Sequence, residues 1–324
     1  MRVSLAQTEN ILIDREVPAL RNTVTIDTSR PLRLLQLSDL HLGLRFDQKY
    51  RRLTEKLVRD AIEGTKPDII VITGDLAWCP ETVLIYSNFC AMMDSYNIPW
   101  CFCFGNHDRD YVKDPRALEL VLENSATCLY HNSDESVFGY GNYFIRLVDG
   151  EGKLVHLLYF FDNAWPHRYD GLSGYTCGSL DHNRWFRRSY AELSRDRTDF
   201  NVWAFVHIPL PEFENAWNEG GCVGSKNGKN ASARINTGLF CTLAENKHVK
   251  GIFCGHDHGT NYMGEHLGVK VIFGRTTGFN QSKLGITTTP CGARVCDISP
   301  DGSFSTFFFM EDGTLRNAND EPIQ

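Results

Sequence analysis

Apolar and polar positions follow two periods along the first third of this chain. Arg33–Leu37 is a short, mostly apolar run that stops at Ser38-Asp39, the pattern of a buried strand entering a loop. Over Lys49–Glu63 the apolar residues Leu53, Leu57, Val58, Ala61 and Ile62 fall on one face at helical spacing. Ile69–Thr73 is a β-branched run ending in Gly74-Asp75. Thr82–Tyr96 has helical character, and Pro99–Phe104 is a strand ending in Gly105-Asn106. Strand, helix, strand, helix, strand describes two successive βαβ units, which implies parallel strands joined by right-handed crossovers.

The pattern then changes. Tyr143–Val148 and Leu154–Phe160 predict a hairpin around Asp149-Gly150, and Asp181–Arg195 predicts a helix. Val202–Val206 predicts a strand ending at His207. Pro209–Ala233 is rich in Gly and Asn with little periodicity, so a long, functional loop is expected there. Ile235–Ala244 reads as helix and Gly251–Cys254 as a strand ending in Gly255-His256. Val269–Phe273, Ala293–Ile298 and Phe304–Phe308 read as strands of a second sheet. Strand-rich segments on both sides of helical crossovers imply an α/β protein of two stacked sheets with helices outside. The 324 residues are taken as a single domain, with its core over about 31–310 and short extensions at each end.

The polar residues at the strand ends carry the chemistry. Five apolar strands end in SDLH, TGD, FGNHD, VH and CGHDH. In open α/β sheets, sites form outside the carboxyl ends of strands. Asp39 and His41 share a D-x-H spacing, His256 and His258 repeat it, and Asp75, Asn106 and His207 arrive singly. Two carboxylates, four imidazoles and one amide carbonyl, with no thiolate, suit Zn, Mn or Fe and are too nitrogen-rich for Ca or Mg alone. Seven donors exceed one tetrahedral site but fit two metals with positions left for water and substrate. Two metals about 3.5–4 Å apart generate a hydroxide nucleophile and clamp a phosphoryl group for in-line displacement. Gly74, Gly105 and Gly255 each precede a ligand, where the backbone must turn sharply. Any one of these short motifs alone describes a turn, a cap or a core histidine. Their recurrence, each after an apolar strand, is what points to a site.

Composition narrows the function further. The net charge is −7, with 42% hydrophobic and 23% charged residues, which disfavours nucleic acid or an anionic membrane as the main partner. No run approaches the roughly 18 apolar residues a membrane span needs. The first residues lack the apolar core of a secretory signal. Eleven scattered cysteines, an odd number with no CxxC, imply reduced thiols and a cytoplasmic setting.

The ordered set D-x-H, G-D, G-N-H-D, H and G-H-x-H, from Asp39 to His258, resembles the calcineurin-like metallophosphoesterase superfamily. More narrowly, LRLLQLSDLHLG, KPDIIVITGDLAW, IPWCFCFGNHD, VHIPLPEF, INTGLF, GIFCGHDHGTNY and GRTTGF resemble the small purple-acid-phosphatase-like branch of plants and fungi. The resemblance implies a four-layer α/β/β/α sandwich and two divalent or trivalent metal ions (Fe, Zn, Mn or Mg). It implies that Asp39, His41 and His258 bind one ion, that Asn106, His207 and His256 bind the other, and that Asp75 bridges them. His107 would stay unligated beside the substrate and assist the leaving group. Asp108 would sit behind the ligands, orienting backbone or His107, or cap a helix. Trp78 stands where purple acid phosphatases have a tyrosine, so no tyrosinate charge-transfer colour is expected. GDLAWC lacks the Asp-Arg of protein serine/threonine phosphatases.

The expected activity is phosphomonoester hydrolysis by in-line attack of a metal-activated hydroxide, on a phosphorylated small molecule or a phosphoprotein. A phosphodiesterase of cyclic nucleotides or lipid head groups is the nearest alternative, and a scaffold without catalysis is another. Arg109 and Arg275 are the expected substrate contacts. The Pro209–Ala233 segment, with Trp217, Lys226 and Lys229, is the expected lid, and Asp162 and His182 are candidates for the cleft border.

Overall fold

The computed structural model describes residues 22–43, 48–169, 172–175, 178–195, 197–280 and 289–323. The N-terminal stretch considered above for a signal lies outside them. Two mixed sheets stack face to face. The first has six strands in the order β15-β14-β13-β2-β3-β4, built from Leu315–Asn317, Phe304–Met310, Gly292–Ile298, Leu32–Leu37, Ile69–Ile72 and Trp100–Phe102. The second has seven strands in the order β1-β5-β6-β9-β10-β12-β11: Thr23–Thr25, Tyr143–Val148, Leu154–Phe160, Asn201–Phe205, Val249–Cys254, Val269–Phe273 and Met263–His266. β2, β3 and β4 are parallel, as are β6, β9 and β10, while β13 runs antiparallel to β2.

Alternation along the strands explains the layering. In β9, Trp203 and Phe205 point between the sheets, where they join Leu34, Val71, Cys101 and Phe160 in one core. Val202 and Ala204 point the other way, into a second core with Trp185 and Phe186 of α4 (Leu180–Ser194), Phe213 of α5 (Glu212–Glu219) and Leu243 of α6 (Leu239–Ala244). On the far side of the six-stranded sheet lie α1 (Gln48–Thr65), α2 (Thr82–Asp94) and α3 (Arg116–Asn124). Leu57, Val58, Ala61 and Ile62 form the buried stripe of α1 that the spacing predicted. The result is the expected four-layer α/β/β/α sandwich.

Polar side chains join the sheets beneath the strand ends. Gln36 of β2 donates through Nε2 to Thr73 Oγ1 at 3.0 Å and to the Cys254 carbonyl of β10 at 2.9 Å. Tyr143 of β5 caps the outer edge of β4: its hydroxyl accepts from Phe102 N–H and donates to Phe102 O, each at 2.9 Å.

The structure departs from several expectations. The Pro209–Ala233 segment is not loop throughout, because α5 buries Phe213 and Ala216 in the outer core. The helix expected from Ile235 begins only at Leu239, after Gly238 adopts a left-handed φ of 78°. A small hairpin of β7 (Pro166–Tyr169) and β8 (Leu172–Tyr175) lies where no element was expected. The ten described cysteines are all free thiols. No described helix is long and apolar enough to cross a membrane.

Candidate metal centre

The five strand ends converge. β2, β3 and β4 are neighbours in one sheet, β9 and β10 in the other, and the loops after them meet at one edge of the sandwich. The loop after β2 zips onto the loop after β3: Asp39 N–H donates to Gly74 O at 3.1 Å, His41 N–H to Asp75 O at 2.9 Å, and Leu42 N–H to Leu76 O at 2.9 Å. Asp39, His41, Asp75 and His256 all hold left-handed φ values between 45° and 73°. Such strain in non-glycine residues persists only where surrounding structure enforces it, and it concentrates at functional sites. Gly105 is required by contact: a Cβ there would lie 2.1 Å from Asp75 Oδ1.

Two groups of ligand atoms result, each with all atoms within 4.8 Å of one another: Asp39, His41, Asp75 and His258, and Asp75, His207 and His256. Asn106 joins the second, with Oδ1 3.1 Å from His207 Nε2. His207 Nδ1 lies 2.7 Å from the Thr73 carbonyl, which directs Nε2 inward. His41 Nε2 and His258 Nε2 face each other at 3.2 Å. Asp75 belongs to both groups. Its Oδ2 is buried without a hydrogen-bond partner and lies 3.4 Å from both His41 Nε2 and His207 Nε2.

The protein's own charges divide the four imidazoles. Burial pushes His41 down to about 3, and burial with the His207 charge does the same to His256. Both are thus neutral donors. Burial also disfavours charge on His207, but the Asp75 carboxylate outweighs it and raises its pKa to about 9. His258 is raised likewise by its hydrogen bond to Asp39. Asp39 is held at about 2: burial opposes ionisation, and His258 overcomes it.

His107 lies beside the first group. Its N–H donates to Asp75 Oδ1 at 2.8 Å, and its ring is 5.5 Å from that of His41 and 4.6 Å from that of Trp78. Its Nδ1 is 2.7 Å from Asp110 Oδ2, which also accepts from Trp78 Nε1 at 2.8 Å. Asp108 takes the backbone-orienting role rather than capping a helix. Fully buried, it accepts N–H groups of Leu76 and Ala77 on Oδ1 and of Gly105 and Asp75 on Oδ2, at 2.7–3.2 Å. It therefore ties the loops after β3 and β4 together. Burial, reinforced by the Asp75 charge, lifts its pKa to about 6.

The two arginines expected to meet substrate are engaged elsewhere. Arg109 donates to Asp162 Oδ2 at 2.6 Å and is sandwiched by the rings of Phe104 and Trp165 at 4.5 and 4.4 Å. Arg275, 1% exposed, donates to Pro290 O and Asp320 Oδ1 and lies over Phe308, so it anchors the C-terminal strands. Asp162 is buried under the Arg109 pair. His182 completes the capping box that starts α4, with Nδ1 accepting Ser179 N–H at 2.6 Å. Both side chains are fully buried.

The expected lid is a tethered wall. Ser225 donates through N–H and hydroxyl to Asn261 Oδ1, Asn227 N–H to Thr260 Oγ1, and Ala231 N–H to Asp257. These bonds fasten the segment to the one that carries His256 and His258. Lys226 pairs with Glu214 at 2.8 Å, Trp217 packs on Tyr262, and Lys229 is exposed.

Sequence reasoning missed two groups. Asp110 was legible in principle, three residues beyond His107 in the same turn. Tyr175 was not. The β7–β8 hairpin brings its ring to 5.0 Å from His256, edge to face. Burial, and then the carboxylates of Asp75, Asp110 and Asp257, raise its pKa, so its hydroxyl stays protonated.

The sequence model of calcineurin-like phosphoesterases matches residues 32–260, which span all the strand-end motifs. This chain belongs to that family. Its similarity to named members is moderate. It is 24% identical over 297 residues to probable inactive purple acid phosphatase 29 of Arabidopsis thaliana, covering 81% of this chain and 76% of that protein. It is 26% identical over 301 residues to probable inactive purple acid phosphatase 14 of the same plant, covering 80% and 74%. Phosphatase DCR2 of Saccharomyces cerevisiae is 27% identical over 267 residues, which cover 71% of this chain and 44% of that protein. A dimetal phosphatase from Danio rerio shares the fold, with a TM-score of 0.58, 12% identity and coverage of 89% of this chain and 97% of that one. The narrower likeness read from the sequence thus agrees with these purple-acid-phosphatase-like relatives.

Proposed function

We propose that this family member hydrolyses phosphate monoesters at a two-metal centre in which Asp75 is the shared ligand. One observation carries the reading: Asp75 Oδ2 is buried, lacks a hydrogen-bond partner, and is equally near an imidazole nitrogen of each ligand group. A buried ionised oxygen that accepts no hydrogen bond is costly unless cations satisfy it. The facing nitrogens of His41 and His258 fit the same explanation, because both lone pairs can point at one ion. Asp39, His41 and His258 would hold one ion, and Asn106, His207 and His256 the other. Their mixed nitrogen and oxygen donors suit Zn, Fe or Mn. When bound, the ions supply an activated water nucleophile and charge stabilisation of the phosphoryl group.

The chain's own residues do the rest. His107 is oriented by Asp110 at Nδ1, which leaves Nε2 to deliver a proton to the departing oxygen. Asp108 holds four backbone N–H groups and so keeps the Asp75 and Asn106 loops in register. Trp78 shields one side of His107. The phosphatase names of the relatives support a monoester substrate.

A scaffold without catalysis is the second reading, since plant relatives are named probable inactive. The complete donor set and the His107–Asp110 pair weigh against it. Comparing p-nitrophenyl phosphate with its bis-ester after loading with Zn, Mn or Fe tests the proposal. A faster bis-ester rate would favour a phosphodiesterase. Full metal loading with no turnover of either ester would favour the scaffold.

A further inference from the structure

We propose that Tyr175 is a substrate-contacting residue of this centre, its hydroxyl donating a hydrogen bond to a non-bridging phosphoryl oxygen from the His256 side. The inference rests on the phosphoesterase reading and adds to it a binding group outside the strand-end motifs. Tyr175 closes β8, in a two-stranded hairpin that belongs to neither main sheet. Its ring meets the His256 ring at 5.0 Å and 84°, and the side chain is half-buried. Its hydroxyl has no hydrogen-bond partner among the described residues, unlike those of Tyr130, Tyr143, Tyr159, Tyr190 and Tyr262. A half-buried phenol beside the centre with a free donor is placed for a ligand rather than for the fold.

The surroundings sharpen this. His107 lies by His41, at the first ligand group, whereas Tyr175 lies by His256, at the second. The two groups therefore reach a bound phosphoryl group from different ligand clusters. Of the arginines expected to meet substrate, Arg109 is paired with Asp162 and Arg275 with Asp320.

The test is Tyr175→Phe, which keeps the ring against His256 and removes only the hydroxyl. Metal content is measured on the loaded protein, orthophosphate binding by calorimetry, and KM and kcat with p-nitrophenyl phosphate. One lost hydrogen bond to an anionic oxygen weakens orthophosphate binding about tenfold. KM should rise by a similar factor, with kcat within about twofold of wild type and metal content unchanged. Unchanged orthophosphate affinity overturns the proposal. Loss of a metal ion from the variant also overturns it, since Tyr175 would then act through His256. Wild-type protein that turns over no ester would count against the hydrolase reading alone. The orthophosphate measurement would still decide the role of Tyr175, and loaded wild-type protein that binds no orthophosphate would reject it.

Discussion

Around His107, each neighbouring residue of the Gly105–Asp110 turn has a separate task. Asp110 holds the imidazole, Asp108 holds the backbone of two loops, and Arg109 pins the turn to Asp162 at the end of β6. Replacing His107 with Ala should lower kcat by about 10²–10⁴, as expected for loss of a general acid. The loss should be smaller for p-nitrophenyl phosphate than for an alkyl phosphate, whose leaving oxygen needs the proton more. Equal losses on both would remove His107 from that role. Arg109→Ala should destabilise the protein by about 3–5 kcal/mol, because it removes the cation paired with buried Asp162 and leaves only the neutral donors Tyr140 N–H and Trp165 Nε1. Arg109→Lys should not restore stability, since lysine lacks the planar group stacked between Phe104 and Trp165. Urea denaturation of the three proteins checks both statements. From sequence alone, Arg109 looked like a substrate contact because its position beside GNHD was legible and its buried partner, 53 residues away, was not.

Among elements, the strands that end in candidate ligands were the legible part. β2, β3, β4, β9 and β10 are short apolar runs buried on both faces, and each stops at a polar signature. Elements whose form depends on distant partners were hidden. β1 pairs only at a sheet edge, β11 depends on β12, and the β7–β8 hairpin joins neither sheet. α5 was masked by the Gly- and Asn-rich stretch that follows it. Close packing between loops sets a sharp test. Gly105→Ala would drive a methyl group into Asp75, displacing its carboxylate and N–H. Loss of metal binding from a protein with near-native circular dichroism is expected, and a fully loaded variant would contradict the packing. Tyr143→Phe should cost about 1–3 kcal/mol, because it leaves the Phe102 N–H and carbonyl without the phenol at the edge of β4. Thermal denaturation would register it as a lower Tm with little change in activity.

Across the molecule, the two sheets bring together carboxylates and imidazoles that no single element could hold. Their mutual influence makes metal binding pH-dependent. The His207 pKa rises to about 9, so it carries a proton near pH 7 in the metal-free protein, and the His258 pKa shifts in the same direction. Ligation requires their neutral forms, so metal affinity should increase as pH rises toward 9 and fall below it, with protons released on binding. The sign reverses for metal-free stability. A histidine pKa raised on folding adds stability below about 6.5, and that contribution is lost as pH climbs through about 9. Calorimetric titration of metal at several pH values, in buffers of different ionisation enthalpy, counts the released protons. No proton release near pH 7 would show that the Asp75 and Asp39 charges do not control these imidazoles.

The shared carboxylate is tested most directly by metal stoichiometry. Elemental analysis of wild-type protein and Asp75→Asn, paired with p-nitrophenyl phosphate turnover on the same samples, reads it out. We predict two metal ions per wild-type chain, loss of at least one in Asp75→Asn, and turnover that disappears with it. Two firmly bound ions in the Asp75→Asn variant, or none in the wild type under any loading condition, would contradict a centre built around Asp75.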